Sequence, residues 1–168
     1  MTNDYAILCW QVVLVAPRIP ENQPGNSSWR YYGTSNMKQA EMNIRRFDMA
    51  VEGARGKLEA VCVECGADLI AVIGGGERYH CGALGLTLTL ASLKDADSLT
   101  HSTYQIPVPG HKEEALAREG SLLLARRLGR NVVLSVGIHE DDLSKEGIQR
   151  YSEAFYVLVE RIGQAYEA

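Results

Sequence analysis

The chain has 168 residues, enough for one domain that buries its own core without a metal or disulfide to hold it. Its formal net charge of −4 gives no long-range attraction for phosphodiester backbones or anionic membranes, so neither nucleic acid nor a membrane is an expected partner. Four cysteines, Cys9, Cys62, Cys65 and Cys81, in a chain without a recognisable secretory leader point to reduced thiols and a cytoplasmic protein.

Residues 5–16 (YAILCWQVVLVA) are apolar but too short to span a bilayer, and they predict a strand. A stretch rich in Pro, Gly, Asn and Ser follows, reading as an irregular surface loop into which Trp29, Tyr31 and Tyr32 fold back. Met37, Ala40, Ile44, Phe47 and Val51 recur in steps of three and four, with Ser35 as N-cap and Gly53 as stop, and predict an amphipathic helix. Residues 57–65 and 68–73 predict a hairpin that turns at Gly66-Ala67.

Residues 80–91 alternate Leu84, Leu86, Leu88 and Leu90 with Cys81, Ala83, Gly85, Thr87 and Thr89, the period of a strand with one greasy and one small face. Another strand is expected around 101–106. Residues 132–138 repeat the alternation, with Val132, Leu134, Val136 and Ile138 on one face. Helices are expected over 111–128 (Leu116, Leu123, Leu124, Leu128, stopped by Gly129) and over 144–166 (Ile148, Tyr151, Phe155, Leu158, Ile162, behind Ser144).

These elements call for a single α+β domain over residues 1–168: an N-terminal extension, 1–54, and a core, 55–168, built on a mostly antiparallel sheet with helices on one face. The leucine faces should meet the helices. The small-residue face is then left to solvent, a ligand or a second subunit, and such weak two-sided polarity suggests a homodimer.

The topology also gathers three histidines. His80 opens the strand that returns antiparallel to 68–73, His111 follows the C-terminal end of the strand around 101–106, and a strand-helix-strand crossover to a parallel neighbour brings His139 to the same edge. There Pro109-Gly110-His111-Lys112 opens a helix, so free N–H groups, the positive end of the dipole and the Lys112 ammonium favour a phosphate or carboxylate. Two other readings of this edge stay open. The residues could be ordinary caps and turns, with His80 satisfied by a backbone carbonyl, or His80, His111, His139 and Asp141 could ligate zinc or iron.

Other constellations carry less. Cys62-Val63-Glu64-Cys65 has the form of a zinc knuckle, but on a strand i and i+3 face opposite sides, which favours two packed thiols. Gly74-Gly75-Gly76 follows a strand but precedes another and lacks the Walker lysine, so it is no P-loop; it forms a wide hairpin loop or lets backbone approach closely. Ser135 sits within a strand without the sharp elbow of a nucleophile.

GGGERYHCGA at 74–83, PGHKEEALA at 109–117 and GIHEDDLSKEGI at 137–148 together resemble the LpdD-like family of gallate decarboxylase accessory proteins, which is prenylated-flavin-chaperone-like, over residues 55–166. The resemblance implies a fold similar to the small proteasome-assembly chaperones. It also implies a non-catalytic accessory or chaperone role for a UbiD-type decarboxylase that uses prenylated FMN, with prenylated FMN or FMN as the cofactor and no metal. The positions it carries over are His80, Gly82, Gly110, His111, Lys112, His139 and Asp141, with the flavin phosphate in the anion site and its ring system against the small-residue face. Tyr79 departs from the family pattern where proline is expected, and Glu140 and Asp142 add acidity. The first ~50 residues lie outside the resemblance, which leaves Met37 or Met42 as a possible natural start.

Overall fold

Period-two alternation governs the chain from residue 43 to residue 107, where five strands follow one another: β1 (Asn43–Ala50), β2 (Lys57–Cys65), β3 (Asp68–Gly76), β4 (Ala83–Ala91) and β5 (Leu99–Pro107). Helix α1 (Glu114–Leu128), strand β6 (Val132–His139) and helix α2 (Lys145–Glu167) complete the order. The computed structural model describes residues 42–95 and 97–167, which fall within one unit, Lys38–Ala168. The strand expected at 5–16, the loop with Trp29, Tyr31 and Tyr32, and the start of the helix expected from Met37 lie outside the described residues.

One sheet, ordered β1-β2-β3-β6-β4-β5, holds all six strands, and its only parallel pair among them is β3 with β6. The fold is α+β, mostly antiparallel, with both helices on one face. The hairpin at Gly66-Ala67 forms as expected, closed by the pair Cys65 and Asp68. Ser144 caps α2 by accepting the Gly147 N–H at 3.1 Å, and Gly129 ends α1 in the left-handed conformation, φ 63°. The glycine run forms no loop. Gly74, Gly75 and Gly76 finish β3, paired with Lys57–Glu59 on one side and Gly137–His139 on the other.

Three expectations need correction. The helix predicted over 37–51 is, from residue 43, strand β1, whose Phe47 and Met49, and Val51 just past its end, turn inward at every second position. That stretch satisfies both periods, and the register with β2, which sets Phe47 beside Ala60 and Met49 beside Leu58, decides for the strand. The second concerns β6, which is no neighbour of β5; it enters between β3 and β4 and becomes central, with Val132, Leu134 and Val136 fully buried. Six residues, 77–82, link β3 to β4, ample for a step of about 10 Å across the inserted strand.

The third correction inverts β4. Ala83, Gly85, Thr87 and Thr89 are buried while Leu86 and Leu90 are exposed, so the small face and not the leucine face meets α1. Helix α1 answers with its own small residues, Ala117, Gly120, Ser121 and Ala125, and leaves Leu123 exposed. A methyl group at Gly85 would overlap the Ala117 carbonyl and lie 2.8 Å from Ser121 Oγ. Thr87 Oγ1 lies 3.0 Å from both Ser121 Oγ and Thr103 Oγ1, so the hydroxyls buried under the helix are satisfied. Beyond Leu124 of α1, the larger side chains of the core come from elsewhere: Leu58, Leu69, Ile73 and Leu134 from the sheet and Phe155, Leu158 and Ile162 from α2.

Gly85→Val is expected to destabilise the domain by about 3 kcal/mol or more, because an overpacked site against backbone cannot relax. Leu86→Ser should stay within about 1 kcal/mol, as befits a partly exposed side chain. Urea unfolding followed by circular dichroism compares the two, and the reverse order of effects would restore the leucine face to the core.

Candidate functional site

Three loops meet at the edge formed by the C-terminal ends of β3, β5 and β6, and backbone hydrogen bonds tie them together. Glu77 and Arg78 donate their N–H groups to the His139 carbonyl at 2.7 and 3.3 Å. Gly82 N–H donates to Val136 O, and Val108 N–H to Gly82 O, both at 2.9 Å. The loop after β3 is thereby bound to β6 on one side and to the strand leading to His111 on the other. Each histidine inherits its place from this net.

The rings do converge. His80 and His111 have centroids 4.4 Å apart, and His80 and His139 are 5.9 Å apart and nearly perpendicular. Between the first two stands Glu113, which the sequence pattern does not single out. Its Oε1 lies 3.3 Å from His80 Nε2 and its Oε2 3.9 Å from His111 Nδ1. Backbone N–H groups fix the carboxylate: Lys112 donates to Oε2 at 2.8 Å and Ile138 to Oε1 at 3.3 Å. Glu113 is nearly buried, with only 9% of its surface exposed. Gly82 makes the space for it, since a Cβ there would lie 2.5 to 3.0 Å from the carboxylate atoms.

His80 Nε2 is buried without a hydrogen-bond partner, its approach to Glu113 being off hydrogen-bonding geometry. The simple turn-residue reading, with His80 saturated by a backbone carbonyl, leaves this nitrogen unexplained. The expectation that no metal is involved is overturned by the same cluster, because His80, His111 and Glu113 offer three ligand atoms within 4.8 Å of one another. The ligand set expected as the alternative, His80, His111, His139 and Asp141, is not what the fold assembles. His139 Nε2 is 2.9 Å from Asp141 Oδ1, and Asp141 is also held by the Arg78 guanidinium. Asp141 and the Nε2 of His139 are thus engaged with each other, and neither residue belongs to the three-ligand cluster.

Acidic residues around the edge are compensated. Arg55 pairs with Glu77 at 3.2 Å and Glu140 at 3.5 Å, and Tyr151 Oη donates to Glu140 at 2.7 Å. The Tyr151 hydrogen bond, reinforced by Arg55, lowers the Glu140 carboxyl below its ordinary range. Burial and the same bond push the Tyr151 phenol up to about 12. The Tyr79 ring covers Gly74 and its hydroxyl donates to Glu59. Cys62 and Cys65 form no knuckle. Cys62 is buried and Cys65 exposed on the other face of β2, and burial pushes the Cys62 thiol up to about 12.

Beside the histidines a cavity of about 610 Å³ opens between the start of α1, the loop after β6 and the first half of α2. Leu116, Ile138, Leu143, Ile148, Tyr151 and Tyr156 form its walls, and Gly110, His111, Lys112, Glu113 and His139 stand at its polar end. The ring site expected on the small-residue face does not exist, because α1 fills that face. Of the expected positions, Gly110, His111, Lys112 and His139 line this cavity, His80 and Gly82 stand behind it, and Asp141 orients His139. The apolar walls contributed by α2 had a sequence signal in Ile148 and Tyr151, which the helical period assigned to the core.

Residues 52–167 match the family model described as a prenylated flavin chaperone LpdD-like domain. The chain belongs to that family. No curated protein matches it. Among solved structures, a chain from a chaperone complex for yeast 20S proteasome assembly is similar at 10% identity and a TM-score of 0.44, over 73% of this chain and 94% of that one. The three segments that carry the chaperone-family resemblance, 74–83, 109–117 and 137–148, are the three loops just described. Among the described residues no helix is long and apolar enough to cross a membrane.

The His139 hydrogen bond, with the Arg78 guanidinium second, holds the Asp141 carboxyl below its ordinary range. A carboxyl depressed in the folded state contributes stability that is full above its unfolded pKa and is lost as pH falls through the folded value. Carboxyl-carbon NMR titration should therefore give Asp141 a midpoint below about 3.9, moved upward by His139→Ala and less so by Arg78→Ala. A midpoint indifferent to both substitutions would refute this bonding pattern.

Proposed function

We propose that the protein is a non-catalytic accessory chaperone of a UbiD-type decarboxylase and holds prenylated FMN, or FMN, at the histidine edge. The observation that carries this reading is the cavity, whose two ends differ in chemistry as the two ends of a flavin nucleotide do. A volume of about 610 Å³ lies within the usual range for small-molecule sites. Its aliphatic and tyrosine walls suit a planar ring system. The Lys112 ammonium, the imidazoles of His111 and His139 and the N-terminus of α1 supply donors and positive potential for a phosphate.

The residues at hand thus fit the group. When bound to its decarboxylase, prenylated flavin supplies the electrophilic centre of that reaction; this chain's residues bind, orient and shield it. Leu116, Leu143 and Ile148 exclude water from the ring, and Lys112 and His111 fix the phosphate. The carboxylates of Glu113 and Glu140 also line the cavity, where backbone N–H groups and the Arg55 and Tyr151 side chains engage them and offset their charge. A cavity open to solvent allows the guest to be handed on. The cytoplasm, where thiols stay reduced, suits the free Cys62, Cys65 and Cys81.

Isothermal titration with FMN and with prenylated FMN tests the reading. Binding should saturate at one flavin per chain, and His111→Ala and Lys112→Ala should each weaken it by about tenfold, the worth of one charge-assisted contact. Absence of binding to either flavin, together with no effect of the protein on activation of a cognate decarboxylase, would falsify it.

The homodimer belongs to the same proposal. On the sheet face opposite the helices, the register aligns Ile70, Val133, Leu86 and Tyr104 in one row and Val72, Ser135, Leu84 and Ile106 in the next. Ile70, Val72, Leu86, Leu90, Tyr104 and Ile106 are all exposed, a contiguous apolar surface of the kind that isolated soluble chains rarely carry. Two copies related by a two-fold axis would cover it. Sedimentation velocity should find a dimer that Leu86→Lys combined with Tyr104→Lys converts to monomer; a wild-type monomer at tens of micromolar would remove the dimer from the proposal.

A further inference from the structure

We propose that His80, His111 and Glu113 form a site for one divalent transition-metal ion of the zinc class, with a coordination position left open toward the cavity. The site stands on its own geometry and does not depend on the flavin reading. Tetrahedral zinc with bonds of about 2.0–2.1 Å sets its ligand atoms about 3.3 Å apart. Here His80 Nε2 and Glu113 Oε1 are 3.3 Å apart, His111 Nδ1 and Glu113 Oε2 are 3.9 Å apart, and all three ligand atoms lie within 4.8 Å of one another. Small rotations of two imidazoles close the set around an ion.

The orphaned His80 Nε2 points to a ligand independently of these distances. It is buried, has no hydrogen-bond partner, and faces a carboxylate that backbone donors hold from behind. Burying an imidazole nitrogen unpaired is unfavourable, and a metal bond would satisfy it. The Lys112 and Ile138 N–H groups orient the carboxylate as partners behind a metal ligand commonly do. Two imidazoles and one carboxylate favour zinc, cobalt, nickel or iron over calcium or magnesium, which prefer all-oxygen shells.

Three protein ligands leave one tetrahedral position free, the pattern of sites that exchange a fourth ligand rather than of closed structural sites. His111 and Glu113 both line the cavity, so that position opens into it. His139 falls outside the set, which among the described residues comprises His80, His111 and Glu113. Gly82 acquires a second purpose here, since any larger residue would displace the carboxylate from the two imidazoles.

The test uses the full chain carrying Cys9→Ser, Cys65→Ser and Cys81→Ser, so that free thiols take up no metal, and Co²⁺ and Zn²⁺ as probes in the absence of flavin. Equilibrium dialysis should find one equivalent bound, and Co²⁺ should develop the visible d–d bands of a low-coordinate site. His111→Ala and Glu113→Gln should each weaken binding about 100-fold or more, while His139→Ala changes it by less than about threefold. Because Glu113 is nearly buried, circular dichroism checks each fold; should Glu113→Gln misfold, His111→Ala, whose ring is one-third exposed, decides. Failure to bind either ion stoichiometrically, or binding that survives the His111 substitution, overturns the metal site while leaving the flavin titration unaffected.

Discussion

Helix α1 rests against β4 with no room for a side chain at Gly85, and most of the molecule's character follows from that contact. To bring the Ala117 backbone so close, the strand must present Ala83, Gly85, Thr87 and Thr89 to the helix and turn its leucines to the other face. The same contact fixes where α1 begins. Glu113 and His111 reach the histidine edge because the helix is seated low on the sheet, and α1 and α2 leave between their first turns the cavity lined by Leu116, Ile148 and Tyr156. Core, edge and cavity are three consequences of one close approach.

This constraint also explains which parts of the molecule were legible in the amino-acid sequence. Strand and helix positions from residue 57 onward follow from periodicity and caps, and Gly66, Gly129 and Ser144 mark their boundaries through conformational preferences that act locally. Which face of β4 is buried is no local property. Alternation declares two faces, and hydrophobicity ranks them, but here close helix packing outweighs the ranking because the leucines find a use elsewhere. In β6, which also packs against α1, the larger apolar residues Val132, Leu134 and Val136 are the buried ones, and there hydrophobicity ranks the faces correctly. Residues 43–50 fail for the complementary reason: apolar residues at positions 44, 47 and 51 fit a helix while 47, 49 and 51 fit a strand, and only the partner β2 selects between them.

The site was legible at the level of its edge and not of its contacts. Strand directions alone bring His80, His111 and His139 together, because direction survives the error in strand order: inserting β6 between β3 and β4 leaves β3, β5 and β6 parallel to one another. Pairing within the edge is a matter of ångströms. Asp141 stands two residues from His139 and Glu113 two from His111, and nothing in the spacing says that the first is drawn to Arg78 in solvent while the second turns inward under Gly82. Burial separates their chemistry, leaving Asp141 an exposed orienting group and making Glu113 an inner ligand candidate.

An accessory protein that passes on a cofactor must bind through contacts that can be given up. A deep enclosed pocket would favour retention. The cavity here is open to solvent, with its charged groups at one end and its apolar surface at the other, which on the proposed reading would let a flavin leave in steps. Charge-assisted contacts of the proposed kind, to an ammonium and imidazoles, would lose strength as water returns. The rigid part of the arrangement lies behind that rim, where backbone N–H groups clamp the Glu113 carboxylate and the His139 carbonyl. A polar floor fixed by backbone beneath an open apolar wall is, on the proposed reading, what would hold a reactive guest without committing it to chemistry.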